Sequence, residues 1–241
     1  LTKKKVVYNF RQNDLKNGGM GAPLTPIFHK KLLYNLVANN EKPRIRGSKL
    51  PLFIINIGGI TNITSTDGST NSSYMYAQDI GPGNYLVDKW MRLKSKKKYD
   101  KDGKIASLGK INKKMLKKFV NVADDSGRPK SFDVSEFKLP SGFQSLSLKD
   151  GAATLTELTA EIIFDYIKLS MDSPDEYYIV ISGGGRKNKF LMKKIKQKMN
   201  FPFRKNKQFS WKLKTIDNYG IDGDFVESQA FAYLAIRSYL K

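Results

Sequence analysis

The pattern of apolar and polar positions divides the chain into strand-like and helix-like segments. Residues 50–57, LPLFIINI, form a nearly continuous apolar run of strand length, which suits a strand buried on both faces. GGITNIT follows. The polar cluster 65–73 then reads as the tip of a hairpin that returns through a strand at 74–79, YMYAQD. Residues 5–10, KVVYNF, read as a further short strand, and 177–182, YYIVIS, as a β-rich apolar run. The segment 29–37 fits either a short helix or a strand.

Helical spacing appears later in the chain. In 85–94 the apolar positions 86, 87, 90, 91 and 93 predict a helix with Asn84 at its N-cap. Leu108, Ile111, Met115, Leu116 and Phe119 predict one helical face over 108–122, with lysines opposite. Residues 153–171 form the clearest helix, apolar enough at Leu155, Leu158, Ile162, Phe164 and Tyr166 to be largely buried. A basic helix is expected over 189–199 and a closing helix over 225–241. Polar or charged loops are expected at 38–49 and 94–107, and an irregular stretch at 124–142. Strands and helices thus alternate after the opening segments, the pattern of an α/β fold with a mixed sheet.

Composition narrows the chemistry. The chain has 241 residues, 40% hydrophobic and 12% aromatic, enough for a sizeable core. Cysteine is absent, which removes disulfides, thiolate nucleophiles and cysteine metal sites. The single histidine, His29, excludes multi-histidine metal sites within one chain and speaks against a serine–histidine triad. Beside a proline-rich turn, a lone histidine is more often structural than catalytic. No apolar run approaches the roughly 20 residues of a membrane span, and the basic start does not read as a secretory signal.

Forty-three Lys and Arg against 22 Asp and Glu give a net charge of +21. That balance raises a nucleic-acid reading. The lysines are spread along most of the chain and far outnumber the arginines that would fork onto bases or phosphates. A lysine-rich solvated surface is the simpler account, and a field attracting an anionic nucleotide fits as well.

Four glycine-rich turns can carry chemistry, because glycine lets backbone N–H groups approach a ligand closely. In IINIGGITNIT, Gly58 and Gly59 follow a buried strand and Asn62 supplies a polar group, a plausible phosphate loop; taken alone, an ordinary hairpin turn is the simpler account of this motif. In DIGPGN, Asp79 ends a strand before a rigid turn into a helix, a place suited to a general base or a metal ligand, and equally to a turn aspartate. In IVISGGGRKN, Gly183, Gly184 and Gly185 join a strand to a helix. This is neither G-x-G-x-x-G nor a P-loop, and it fits a nucleotide contact or a close strand–helix crossing. In GIDGDFVES, Asp222, Asp224 and Glu227 gather at a helix start, where the helix dipole favours acids in any case; Glu227 could also face a cleft. Trp90 and Trp211 are most simply core or groove aromatics.

Taken in order, NFRQNDLKNGGMGAPLTPIFH, INIGGITNIT, DIGPGNYLVDKW, DKDGKIASLG, GRPKSF, AATLTELTA, VISGGGRKN and GIDGDFVESQAFAYLA resemble the anhydro-N-acetylmuramic acid kinase family over nearly the whole chain. The resemblance implies an actin-like (ribonuclease H-like) fold of two α/β lobes with a cleft between them. Here residues 1–28 would be a remnant of the N-terminal lobe and 29–241 the C-terminal lobe. It implies an ATP-dependent kinase using Mg²⁺. Such a kinase hydrolytically opens the 1,6-anhydro ring of anhydro-N-acetylmuramic acid and phosphorylates O6, as part of cytoplasmic peptidoglycan recycling in bacteria. The implied partners are the sugar and ATP, with homodimers common in the family, no membrane and no nucleic acid.

The resemblance also implies roles. Asp79 would be the catalytic aspartate that activates water. Glu227 would lie near the substrate. Gly58, Gly59 and Asn62 match a phosphate-contacting hairpin, with Asn62 also near the sugar, and Gly183, Gly184 and Gly185 match the segment against which adenosine lies. No protein side chain is assigned to a metal.

Three departures accompany the match. Ile80 stands where the family usually has threonine, and Asn9 where it usually has aspartate, while Arg11 is kept. A glycine-, serine- and threonine-rich phosphate loop expected before Leu1 is not in this sequence, nor is the tail expected after the last helix. The expectation is therefore that the 241-residue chain binds ATP poorly and turns over little. A truncated, non-catalytic sugar- or nucleotide-binding remnant is the alternative.

Overall fold

The computed structural model describes residues 3, 5–40, 52–66, 74–119, 131–169, 176–200 and 210–240. A single five-stranded sheet organises them, in the order β3-β2-β1-β4-β5. Strands β1 (Leu52–Ile57), β2 (Ile60–Thr66) and β3 (Met75–Pro82) form an antiparallel meander. Strands β4 (Glu176–Ser182) and β5 (Ser210–Thr215) are added parallel to β1. Parallel additions need crossovers, and helices supply them: α5 (Leu148–Leu169) precedes β4, and α6 (Lys189–Met199) lies between β4 and β5.

The apolar run of β1 is buried on both faces because each face has its own helical cover. Phe53, Ile55 and Ile57 join Tyr177, Ile179 and Ile181 of β4 against Ala160, Ile163 and Ile167 of α5 and Leu191 and Ile195 of α6. Leu52 and Ile54, with Tyr178 and Val180, pack against Leu32, Leu33 and Leu36 of α2 (Pro26–Asn40) and Val226 of α7 (Val226–Tyr239). A third cluster forms where α3 (Tyr85–Lys94) crosses the start of α5. Its centre is Trp90, fully buried, which donates its indole N–H to Leu148 O at 2.9 Å and meets Phe143 edge-on at 5.1 Å. A Cβ on Gly151 would stand 2.3 Å from the Trp90 ring, so that crossing needs glycine.

Several local expectations are revised. Residues 5–9 are irregular rather than a strand; helix α1 (Phe10–Lys16) follows, with Asn9 at its N-cap in the left-handed region (φ 60) that Asn tolerates better than most residues. The ambiguous 29–37 lies inside α2 and is helical. The expected helix over 108–122 shrinks to α4 (Lys113–Lys117). Gly109 lies so close to the backbone of Lys149 that a Cβ would stand 2.0 Å from its carbonyl oxygen. Lys110 N–H donates to Asp150 Oδ1 and Asn112 N–H to Thr154 Oγ1, so the chain lies along α5 instead of coiling, and Leu108 is exposed. Helix α5 starts five residues earlier than expected, with Ser147 Oγ accepting from Asp150 N–H. Leu155 and Leu158 are buried as expected, whereas Ile162, Phe164 and Tyr166 are half-buried.

Strand β5 was not anticipated. Trp211 and Leu213 alternate with lysines and pack on the α5–α6 side, the pattern of a half-covered edge strand. Much of the expected hairpin tip (67–73), of the polar loop at 38–49 and of GRPKSF (127–130) lies outside the described residues. Among the described residues, no helix is long and apolar enough to cross a membrane.

Candidate functional site

Ligands of open α/β sheets gather at the carboxyl ends of the parallel strands. Here those ends carry both glycine turns. Gly58 and Gly59 close the β1–β2 hairpin, and Gly183–Gly185 follow β4 beside it. A Cβ on Gly183 (φ 75) would stand 2.5 Å from Asn56 Oδ1, and one on Gly185 2.3 Å from Ile57 Cγ2, so the β4 turn is pressed onto the end of β1. Gly184 differs from its neighbours: it is exposed and an added Cβ would meet nothing within 4 Å. It is the open point of the turn, where a ligand can lie against backbone.

The hairpin glycines serve a second end. Gly58 O accepts from Asn84 N–H at 2.8 Å, and Gly59 O accepts from Gly83 N–H at 2.9 Å and Tyr85 N–H at 3.1 Å. The N–H groups that open α3 are thereby satisfied by hairpin carbonyls. Asn84 does not cap through its side chain as expected; its amide reaches Ile57 O at 3.4 Å instead. A Cβ on Gly83 would stand 2.4 Å from Gly58 O, which explains the Gly-Pro-Gly turn.

Asp79 lies within β3, which continues to Pro82 rather than stopping at Asp79 as the sequence suggests; it is only 5% exposed and stands opposite Asn62 on β2, where the register shifts. Such a bulge re-aims side chains. Asp79 Oδ2 accepts the Phe132 backbone N–H at 2.9 Å. Burial pushes the Asp79 carboxyl above its ordinary range, while the Phe132 N–H and the Arg11 charge pull it back part of the way. The carboxylate is thus more basic than a free one yet held in a fixed orientation.

Asp79 opens onto a cleft of about 190 Å³. Asn62, Glu227, Arg11, His29 and Asn56 share its lining. Glu227 arrives from the first turn of α7 and Arg11 from α1. His29 is nearly fully buried, its Nδ1 3.0 Å from Thr64 Oγ1, and burial lowers its pKa to about 4, so the ring is neutral near pH 7. The fold therefore brings together three of the residues singled out in the sequence, Asp79, Asn62 and Glu227. The five glycines stand outside this lining, in the two adjoining turns.

Arg11, Asn56 and His29 are cleft residues that sequence reasoning did not assign to the site. Asn56 carried a readable signal, as the one polar residue of the run LFIINI. Arg11 and His29 arrive from helices far away in sequence; the sequence marked His29 only as a lone, more often structural, histidine and Arg11 only as a retained residue of its block. Ile80, the departure beside Asp79, lies in the core formed with α5, because neighbouring strand residues face opposite sides. That substitution leaves the cleft lining unaltered. Asn9 is exposed and also lies outside the lining.

A meander of three strands continued by two parallel ones, with helices on both faces, defines an α/β fold with a five-stranded mixed sheet of ribonuclease H-like strand order. The family model of anhydro-N-acetylmuramic acid kinase matches residues 1–240, and the chain belongs to that family. Proteins named anhydro-N-acetylmuramic acid kinase from Pelagibacter ubique (strain HTCC1062) and Zymomonas mobilis subsp. mobilis (strain ATCC 31821 / ZM4 / CP4) are 45% and 34% identical to it. The matches cover 100% and 98% of this chain but 60% and 58% of those relatives, so the chain spans well under two thirds of their length. Among solved structures, the activator of the 2-hydroxyisocaproyl-CoA dehydratase from Clostridium difficile with bound ADPNP aligns with a TM-score of 0.46 and 12% identity, over 86% of this chain and 68% of that one.

Proposed function

We propose that this chain provides the sugar cleft and catalytic base of an anhydro-N-acetylmuramic acid kinase, yielding N-acetylmuramic acid 6-phosphate and ADP. The observation that carries the reading is the meeting of Asp79, Asn62 and Glu227 in one cleft, with Asp79 buried and made more basic by that burial. Asp79 takes a proton from water as the water oxygen bonds to the anomeric carbon. The bond from that carbon to O6 breaks, and its electron pair leaves O6 free to bond to the γ-phosphorus. The bond from phosphorus to the ADP oxygen breaks in line. Phe132 N–H holds one carboxylate oxygen, which leaves the other for the water. Asn62 and Glu227 orient sugar and water. Arg11 places a positive charge in a cleft that would receive the acidic lactyl group of the substrate.

The open backbone at Gly184 fits the flat adenosine of ATP, and Gly58 and Gly59 lie beside it for the phosphates. Mg²⁺ would supply charge neutralisation for the transferring phosphoryl group and would enter with the nucleotide, since no cluster of three His, Asp or Glu side chains among the described residues is built to hold it. In a bacterial cell this chemistry belongs to cytoplasmic recycling of peptidoglycan sugars. A homodimer and the two-lobed division at residue 28 come with the same proposal, and nucleic acid has no part in it.

Calorimetric titration with 1,6-anhydro-N-acetylmuramic acid, followed by mass spectrometry of a mixture with Mg-ATP, tests the reading. Sugar binding is expected, with only low turnover to a product heavier by one water and one phosphoryl group. Failure to bind the anhydro sugar contradicts it.

A further inference from the structure

Arg186 follows the three glycines of the β4 turn, and its side chain is only 4% exposed. A guanidinium taken out of water needs partners for its five N–H groups. Its partners come from three different segments. Nε donates to Asp217 Oδ2 at 2.7 Å and Nη2 to Asp217 Oδ1 at 3.1 Å, a two-pronged pair with the turn that follows β5. Nη2 also donates to Asp224 Oδ1 at 3.0 Å, in the loop that opens α7. Nη1 donates back to Gly183 O at 3.1 Å, within the glycine turn itself.

Other contacts close the same knot. Asp217 Oδ1 accepts the Gly223 N–H at 3.2 Å, and Lys187 pairs with Asp224. A Cβ on Gly223 would stand 2.3 Å from Arg186 Nε, so the α7 loop lies directly on the guanidinium. The Arg186 guanidinium holds the Asp217 carboxyl down at about 2, so the pair stays ionised at any working pH. Asp224 lies three residues before Glu227, and Glu227 lines the cleft that contains Asp79.

The geometry points to Arg186 as a positioning residue that couples the open glycine turn around Gly184 to the placement of Glu227 in the sugar cleft. The inference rests on the functional reading above, and it adds a connection between the two halves of the reaction. A nucleotide lying on Gly184 fixes the turn 183–187. Arg186 in that turn fixes Asp224, and Asp224 fixes the first turn of α7. Sugar and nucleotide then each bind better when the other is present, and linkage requires the effect to be reciprocal.

The test is calorimetric titration of 1,6-anhydro-N-acetylmuramic acid with and without saturating Mg-ADP. Two variants are compared with the unaltered chain. Asp224→Ala removes a half-exposed acceptor and leaves the Arg186–Asp217 pair in place. Lys194→Gln removes a different, largely buried ion pair, to Glu157, which Lys198 still pairs, and serves as the control. Mg-ADP is expected to tighten sugar binding roughly tenfold in the unaltered chain and in Lys194→Gln, and about twofold or less in Asp224→Ala. A merely structural network would lower the melting temperature of Asp224→Ala while leaving the ratio of the two sugar affinities intact. An intact ratio, or no effect of Mg-ADP in the unaltered chain, overturns the inference while the kinase reading stands. Failure of the unaltered chain to bind the sugar at all overturns both.

Discussion

The Phe132 backbone N–H donates to Asp79 Oδ2 at 2.9 Å, joining residues 53 apart in sequence. The bond fixes a buried carboxylate without neutralising it, and the consequences for activity and stability have opposite signs. Burial raises the folded-state pKa of Asp79 above its unfolded value. Between those two values the folded state binds more protons, so stability falls as pH rises through the window. At neutral pH the ionised carboxylate therefore costs stability. Asp79→Asn, whose amide oxygen still accepts the Phe132 N–H, is expected to melt no lower than the unaltered chain near pH 7. Thermal unfolding at pH 7 checks this, and a clearly lower melting temperature would refute it.

His29 carries the opposite dependence. Its folded pKa is lowered to about 4 by burial, against about 6.5 for a solvated imidazole. The unfolded chain binds the extra proton first, so this contribution is complete above about pH 6.5 and is lost as pH falls toward 4, amounting to up to about 3 kcal/mol. His29→Gln keeps a group able to bond Thr64 and does not titrate. Urea unfolding at pH 7 and pH 4.5 should show a large loss of stability in the unaltered chain and a smaller one in His29→Gln. Equal losses would show that the imidazole is not the source.

The three glycines of the β4 turn separate folding from ligand contact. Gly185→Ala forces a methyl into Ile57 and should cost roughly 1–3 kcal/mol of stability. Gly184→Ala meets open space and should leave the melting temperature within about a degree or two. If nucleotide lies on that backbone, the same methyl should weaken Mg-ADP binding several-fold. Unchanged nucleotide affinity in Gly184→Ala would move the nucleotide elsewhere.

Glu227 is exposed to the cleft and makes its case through substrate. Glu227→Gln should raise the sugar Kd several-fold with little change in melting temperature, as calorimetry and thermal unfolding together would show. A normal sugar Kd would remove Glu227 from the binding site.

The sheet was largely legible because continuous apolar runs have few other homes: LFIINI and YYIVIS became β1 and β4 almost to the residue. Helix α6 occupies the basic helix expected over 189–199, and the structure adds its cap, Asn188, whose side chain accepts from Leu191 N–H. What failed was set by contacts distant in sequence. KVVYNF has strand composition but meets no partner strand, and residues 5–9 stay irregular. SWKLKT is lysine-rich on one face, so its strand character emerges only once Trp211 and Leu213 meet the α5–α6 core. In the site, Asp79 stood out because it precedes the glycine turn DIGPGN, and Glu227 because it follows a glycine turn at a helix start. Arg11 and His29 did not, since only the folding of α1 and α2 over the sheet brings them to the cleft.

The central claim is that the Asp79 carboxylate activates the water that opens the anhydro ring. Its most direct test compares the unaltered chain with Asp79→Asn in Mg-ATP and 1,6-anhydro-N-acetylmuramic acid, measuring hydrated, phosphorylated product by mass spectrometry and sugar affinity by calorimetry. The account predicts product reduced by at least about 100-fold in Asp79→Asn, with sugar affinity changed only a few-fold. Product formed by Asp79→Asn at the rate of the unaltered chain would contradict it.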